Sequence, residues 1–92
     1  VEFEHEKLGK CVLKDLTQKD LEDFHEAMKG KGELSLTKWR GDSVRAFAKQ
    51  GLIEEPVIKA DEVDGLSPGM VYWLSECITK LQAEALNIDP LS

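Results

Sequence analysis

The chain has 92 residues, enough for one small domain and not two, and its 41% apolar and 33% charged content is that of an ordinary folded globule. A net charge of −6 sets it against phosphate backbones, so nucleic acid is not expected as the main partner. The longest apolar run, Met70–Leu74, is far too short for a membrane span, and no signal peptide is legible, so a cytoplasmic setting is expected, with the native start before or at Val1 left open.

The first seven residues, VEFEHEK, alternate with period two. That places Val1, Phe3 and His5 on one face, predicted buried, and Glu2, Glu4 and Glu6 on the other. Leu8-Gly9 allows a turn and KCVLK supplies a second short strand, so residues 1–15 read as a β-hairpin. A lone hairpin is barely stable in water and must lie on helices of its own chain or on another subunit, which would make the protein a homo-oligomer.

A first helix is predicted over 17–29. Thr17 is its N-cap, Asp20 stands in the capping-box position, Leu21, Phe24 and Met28 form its apolar stripe, and Gly30 ends it. After the glycine-bearing stretch KGKGELSL, read as a loop, a second helix is predicted over 37–50, with Thr37 or Asp42 as cap and Val44, Phe47 and Ala48 inward. Gly51 sits where a helix commonly turns left-handed, Leu52 and Ile53 fold back on the last turn, and Glu55-Pro56 stops the helix. The segment from Pro56 to Asp64 reads as an extended connection. Ser67 as N-cap and Pro68 at the first helical position then open a third helix over 68–86, with Asn87 and Pro90 ending it. Its stripe is Val71, Leu74, Ile78, Leu81 and Ala85, widened by Met70 and Cys77, and it is the expected central pillar of the fold.

No stretch carries a catalytic or metal-binding signature. In DEVDG the acids Asp61, Glu62 and Asp64 are too close for a calcium loop and Pro68 interrupts the frame, so they read as acids favoured by the following helix dipole. His5 and His25 have no metal-ligand spacing with Cys11 or Cys77, and both read as structural. The two cysteines, far apart in sequence, read as free buried thiols that act as small hydrophobes. No metal, cofactor or catalytic residue is expected.

Charge and aromatics point to a surface. Residues 1–46 hold ten acids and nine bases, whereas residues 47–92 hold eight acids and three bases. A local basic excess comes from Lys29, Lys31, Lys38, Arg40 and Arg45 against Glu33 and Asp42, and it suits either a solvated face or contact with an acidic partner. Trp39 stands between Lys38 and Arg40. Tyr72 and Trp73 are adjacent on a helix, about 100° apart, so one can enter the core while the other stays at the rim. Trp39, Arg40, Arg45, Tyr72 and Trp73 are the candidate partner-binding residues, by the enrichment of Trp, Tyr and Arg at interfaces, against the alternative that the aromatics only complete the core edge.

The order of pieces, LKDLTQKDLEDFHEAM, then LTKWRGDSVRAFAKQGLIEEP, then DEVDGLSPGMVYWLSECITKLQAEALNIDP, resembles small proteins of tailed-phage morphogenesis modules, in particular tail-assembly chaperone-like proteins. The resemblance rests on Leu16-Thr17, on Val44-Arg45-Ala46 with Gly51-Leu52-Ile53 and Pro56, and on Leu66-Ser67-Pro68. It implies no chemistry. It implies a protein that shields a tape-measure protein or recruits tail-tube subunits, with a groove beside the third helix flanked by the KGKGEL loop and the hairpin. The sequence thus predicts a single α+β domain over 1–92, an N-terminal β-hairpin packed on three helices, acting as a non-enzymatic protein-binding module. A virion structural component and a small acidic regulatory or adaptor domain are the alternatives.

Overall fold

A computed structural model describes residues 1–31 and 35–86. The order of elements is β1 (Glu2–His5), β2 (Gly9–Leu13), α1 (Gln18–Ala27), α2 (Leu36–Lys49), β3 (Ile53–Glu55), a 3-10 turn (Ala60–Gly65) and α3 (Pro68–Leu86). The architecture is α+β, a small antiparallel sheet at the start of the chain laid on helices, with strand order β1-β2-β3.

The hairpin forms as its alternation predicts, with Phe3 opposite Cys11 and Glu4 opposite Lys10. Gly9 opens β2 at φ 95, a conformation that suits glycine. The predicted buried face of β1 is corrected: Phe3 is half-buried, but Val1 and His5 are exposed. β1 is an edge strand, and the inner face of the sheet is centred on β2, where Cys11 and Leu13 are buried against α3. His5 instead caps the hairpin turn, its Nδ1 accepting from the backbone N–H groups of Lys7 (3.0 Å) and Leu8 (3.2 Å).

The helix ends are chemically specified. Thr17 accepts from the Asp20 N–H and Asp20 accepts from the Thr17 N–H, the predicted capping box. The cap of α2 is corrected from Thr37 or Asp42 to Ser35, whose Oγ accepts from the Lys38 N–H at 3.3 Å. The helix therefore begins at Leu36, and Asp42 is free to act inside it. At its other end the Leu52 N–H donates to the Phe47 carbonyl and the Gly51 N–H to Ala48, with Gly51 at φ 72, a Schellman closure. That reversal sends Ile53–Glu55 alongside β2 as a third strand, so the predicted hairpin is a three-stranded sheet. Ser67 caps α3, accepting from the Met70 N–H at 3.2 Å, and the helix has the bounds its pattern predicts.

The core lies between α2, α3 and β2. Val44 and Phe47 of α2, Leu74, Cys77, Ile78 and Leu81 of α3, and Cys11 and Leu13 of β2 are all buried. α1 joins through Phe24, whose ring meets Phe47 edge-on at 5.0 Å and 89°. The segment predicted as extended is also corrected. Ala60, Val63 and Leu66 recur every three residues, the period of a 3-10 helix, and Val63 is driven into the core at 2% exposure. Glu62 steadies the turn by accepting from the Lys59 N–H at 3.1 Å. Among the described residues no helix is long and apolar enough to cross a membrane. The Gly32–Leu34 part of the predicted loop, with Glu33, and the predicted stop at Asn87 and Pro90 lie outside the described residues.

Candidate functional site

Where α2, the 3-10 turn and the start of α3 converge, they leave a cleft of about 360 Å³. One wall is α2, through Thr37, Arg40, Gly41 and Arg45. The opposite wall comes from Pro68, Val71 and Tyr72 of α3, and Val63, Asp64 and Leu66 close the base. Its residues come from three elements that the core holds rigidly, which is how small concave sites are usually built.

The electrostatics divide into a closed cluster and an open charge. Arg45 donates to Asp42 at 2.9 Å and also pairs with Asp64, so one guanidinium fork ties α2 to the 3-10 turn. Asp42 is 6% exposed, and Lys38 approaches it at 3.9 Å. The hydrogen bond to Asp64 foremost, with the charges of Asp64 and Asp42, pushes Arg45 above its ordinary value, so its charge is fixed at any working pH. Gly41 leaves room for this fork, because a Cβ there would stand 3.1 Å from Arg45 Nη1 and push it aside slightly. Arg40 is different. Its guanidinium carbon lies 4.5 Å from the centre of the Tyr72 ring, and among the described residues it makes no ion pair. Tyr72 is 49% exposed, so a cation stacked on an aromatic ring stands at the mouth of an otherwise largely apolar cleft.

Of the five residues singled out from the sequence, the fold brings Arg40, Arg45 and Tyr72 into this cleft. Trp39 is half-buried and does not line it. Trp73 turns the other way, packs against the core and meets His5 edge-on at 5.5 Å. This cleft lies beside the third helix and is closed by the 3-10 turn, with no hairpin residue in its lining, and the Gly32–Leu34 part of the KGKGEL loop lies outside the described residues. Gly41 and Val63 were not singled out, and Asp64 was read only as an acid ahead of a helix. The spacing of Ala60, Val63 and Leu66 was the available signal, and it was masked by the acids around it.

A second hollow, about 520 Å³, lies beside the hairpin turn between Glu4, His5, Glu6, Gly9 and Lys10. All five are exposed, and no apolar side chain forms a floor. Among the described residues no three His, Cys, Asp or Glu side chains gather as a metal site. Cys11 and Cys77 are buried and free. Burial above all pushes both thiols up, Cys11 to about 12, so neither is a thiolate at neutral pH. No family model matches the chain, and comparison with curated proteins and with solved structures gives no significant match.

Proposed function

We propose that this domain is a non-enzymatic docking module whose cleft between α2 and α3 receives a short segment of a partner protein. The occupant is a segment with an apolar side chain next to a carboxylate. The apolar group fills the space between Val63, Leu66 and Val71, and the carboxylate pairs with Arg40. The observation that carries this reading is Arg40 itself, held on the Tyr72 ring with no carboxylate partner among the described residues, beside Arg45, which already has two. Charge complementarity therefore favours an acidic-apolar segment, even though the chain as a whole is acidic. Arg45 and Gly41 shape the wall; Arg40 and Tyr72 make the contact.

The resemblance carried by Leu16-Thr17, Gly51-Leu52-Ile53 and Leu66-Ser67-Pro68 supplies the setting, tail assembly in a phage-infected cell, with a tape-measure or tail-tube protein as partner. Calorimetric titration of the purified chain against the tape-measure and tail-tube proteins encoded beside it tests this. We expect saturable binding to one of them. Arg40→Glu should weaken it at least tenfold, and Tyr72→Ala by a similar factor, both with wild-type circular dichroism. Undiminished binding by both variants overturns the cleft assignment. Flanking genes that encode no tail proteins overturn the setting and leave the cleft standing.

A further inference from the structure

Beyond β1 the backbone ladder is open. Val1 and Leu13 exchange both of their backbone bonds, at 2.7 and 2.8 Å. In an antiparallel pair such positions alternate with wide ones, so Phe3 and His5 turn their N–H and C=O groups to β2, while Glu2 and Glu4 turn theirs away. β1 ends the strand order, and among the described residues no strand lies beyond it. An edge of this kind is a template for another strand. Its two faces differ. Cys11 and Leu13 are buried toward α3, so the face one residue out of step, with Lys10 and Val12, is the outer one. Glu4 lies opposite Lys10 on that face, and Glu2, Val12 and Glu55 form one row across the three strands. Lys10 meets Glu2 at 2.6 Å, and among the described residues Glu4 and Glu55 make no ion pair. On the inner face β1 carries Val1, which is exposed, and Phe3 and His5, which lie against the core and the Trp73 ring.

We propose that the outer edge of β1 takes a fourth strand, an extended segment of another protein in which Lys or Arg alternates with apolar residues. Its backbone pairs with the free N–H and C=O groups of Glu2 and Glu4. Its bases lie beside the two glutamates, and its apolar side chains continue the row of Val1 and Phe3. Main-chain bonds supply the affinity and the alternating charge supplies the selection. A second copy of this chain is poorly suited. Any β1–β1 pairing that keeps the apolar faces together sets glutamate beside glutamate, and like charges so placed destabilise a sheet. Charge of one sign thus guards the edge against its own kind and leaves it open to a basic strand. This rests on the sheet edge and is independent of the cleft reading, which concerns α2 and the Tyr72 side of α3.

The probe is an end-capped synthetic peptide of about eight residues alternating Lys and Val, titrated into the full chain at low salt. Saturable binding is expected. Amide hydrogen exchange should slow about tenfold at Glu2 and Glu4 and change little at Phe3, which is already bonded to β2. The same peptide methylated on every backbone nitrogen keeps its charge, loses its donors and should bind about tenfold more weakly. Glu4→Lys should weaken binding of the Lys-Val peptide by about tenfold and gain affinity for a Glu-Val peptide. Exchange in the wild-type chain decides the matter even if that variant fails to fold. Equal binding of plain and methylated peptides would mean charge attraction alone and would overturn the proposal. So would an absence of saturable binding, or binding that leaves the Glu2 and Glu4 amides unchanged. Slow exchange at both amides in a dimer formed without peptide would also overturn it, by giving the edge to a second copy.

Discussion

Gly41 sits near the middle of α2, where glycine costs about 0.8–1 kcal/mol relative to alanine, so something must favour its small size. The reason is Arg45, whose Nη1 would stand 3.1 Å from a Cβ at that position. Gly41→Ala should therefore gain helix propensity and displace the Arg45 fork from Asp42 and Asp64 by a few tenths of an ångström. The two effects offset, and urea unfolding should place the variant within about 1 kcal/mol of wild type. A loss well beyond that would mean the Arg45 fork cannot shift. A residue-level reading of the sequence reached Arg40, Arg45 and Tyr72 because Arg and Tyr carry their chemistry wherever they stand. It missed Gly41, whose role exists only relative to a side chain one helical turn later.

At the scale of elements, α3 is the piece on which the rest closes, and it is held in two ways of different strength. Its cap, Ser67, is exposed, and Ser67→Ala should cost about 1 kcal/mol. Its buried stripe is worth more. Leu74→Ala or Ile78→Ala removes a side chain at 0% or 1% exposure and should cost about 2–5 kcal/mol by denaturant titration, which approaches the whole stability of so small a domain. If Ser67→Ala proved as damaging as Leu74→Ala, packing would not be what holds α3. The same contrast explains which elements were legible. α1 and α3 announce themselves through apolar periodicity and caps that act within a few residues, Thr17 with Asp20 and Ser67 with Pro68. β3 is only three residues long, two of them exposed glutamates, and it is a strand solely because the Schellman turn at Gly51 delivers it to β2. The 3-10 turn is likewise fixed by Val63 entering the core and by Arg45 reaching Asp64, contacts made at a distance in sequence.

At the scale of the whole molecule, the core shared by the sheet and α3 buries two thiols, and this gives global stability a dependence on alkaline pH. In the unfolded chain a cysteine titrates near its ordinary value of 9.0, while in the fold burial raises Cys11 to about 12 and Cys77 in the same direction. A raised acid is protonated in the fold when the unfolded chain has already lost its proton. Between those two pH values the unfolded state therefore binds fewer protons, and unfolding becomes easier as pH rises. The thiol contribution is whole below pH 9.0 and declines from there toward pH 12, so Cys11 alone should cost about 1 kcal/mol by pH 10. Other groups titrate in this window, so the informative quantity is a difference of slopes. Urea unfolding of the reduced protein and of a Cys11→Ala/Cys77→Ala double variant should be compared from neutral pH upward, each referred to its own neutral value. The double variant should lose less stability per pH unit, because its core holds no buried acid to be drawn out. Parallel slopes would show that these thiols ionise as readily inside the fold as outside it, and that β2 and α3 do not enclose them.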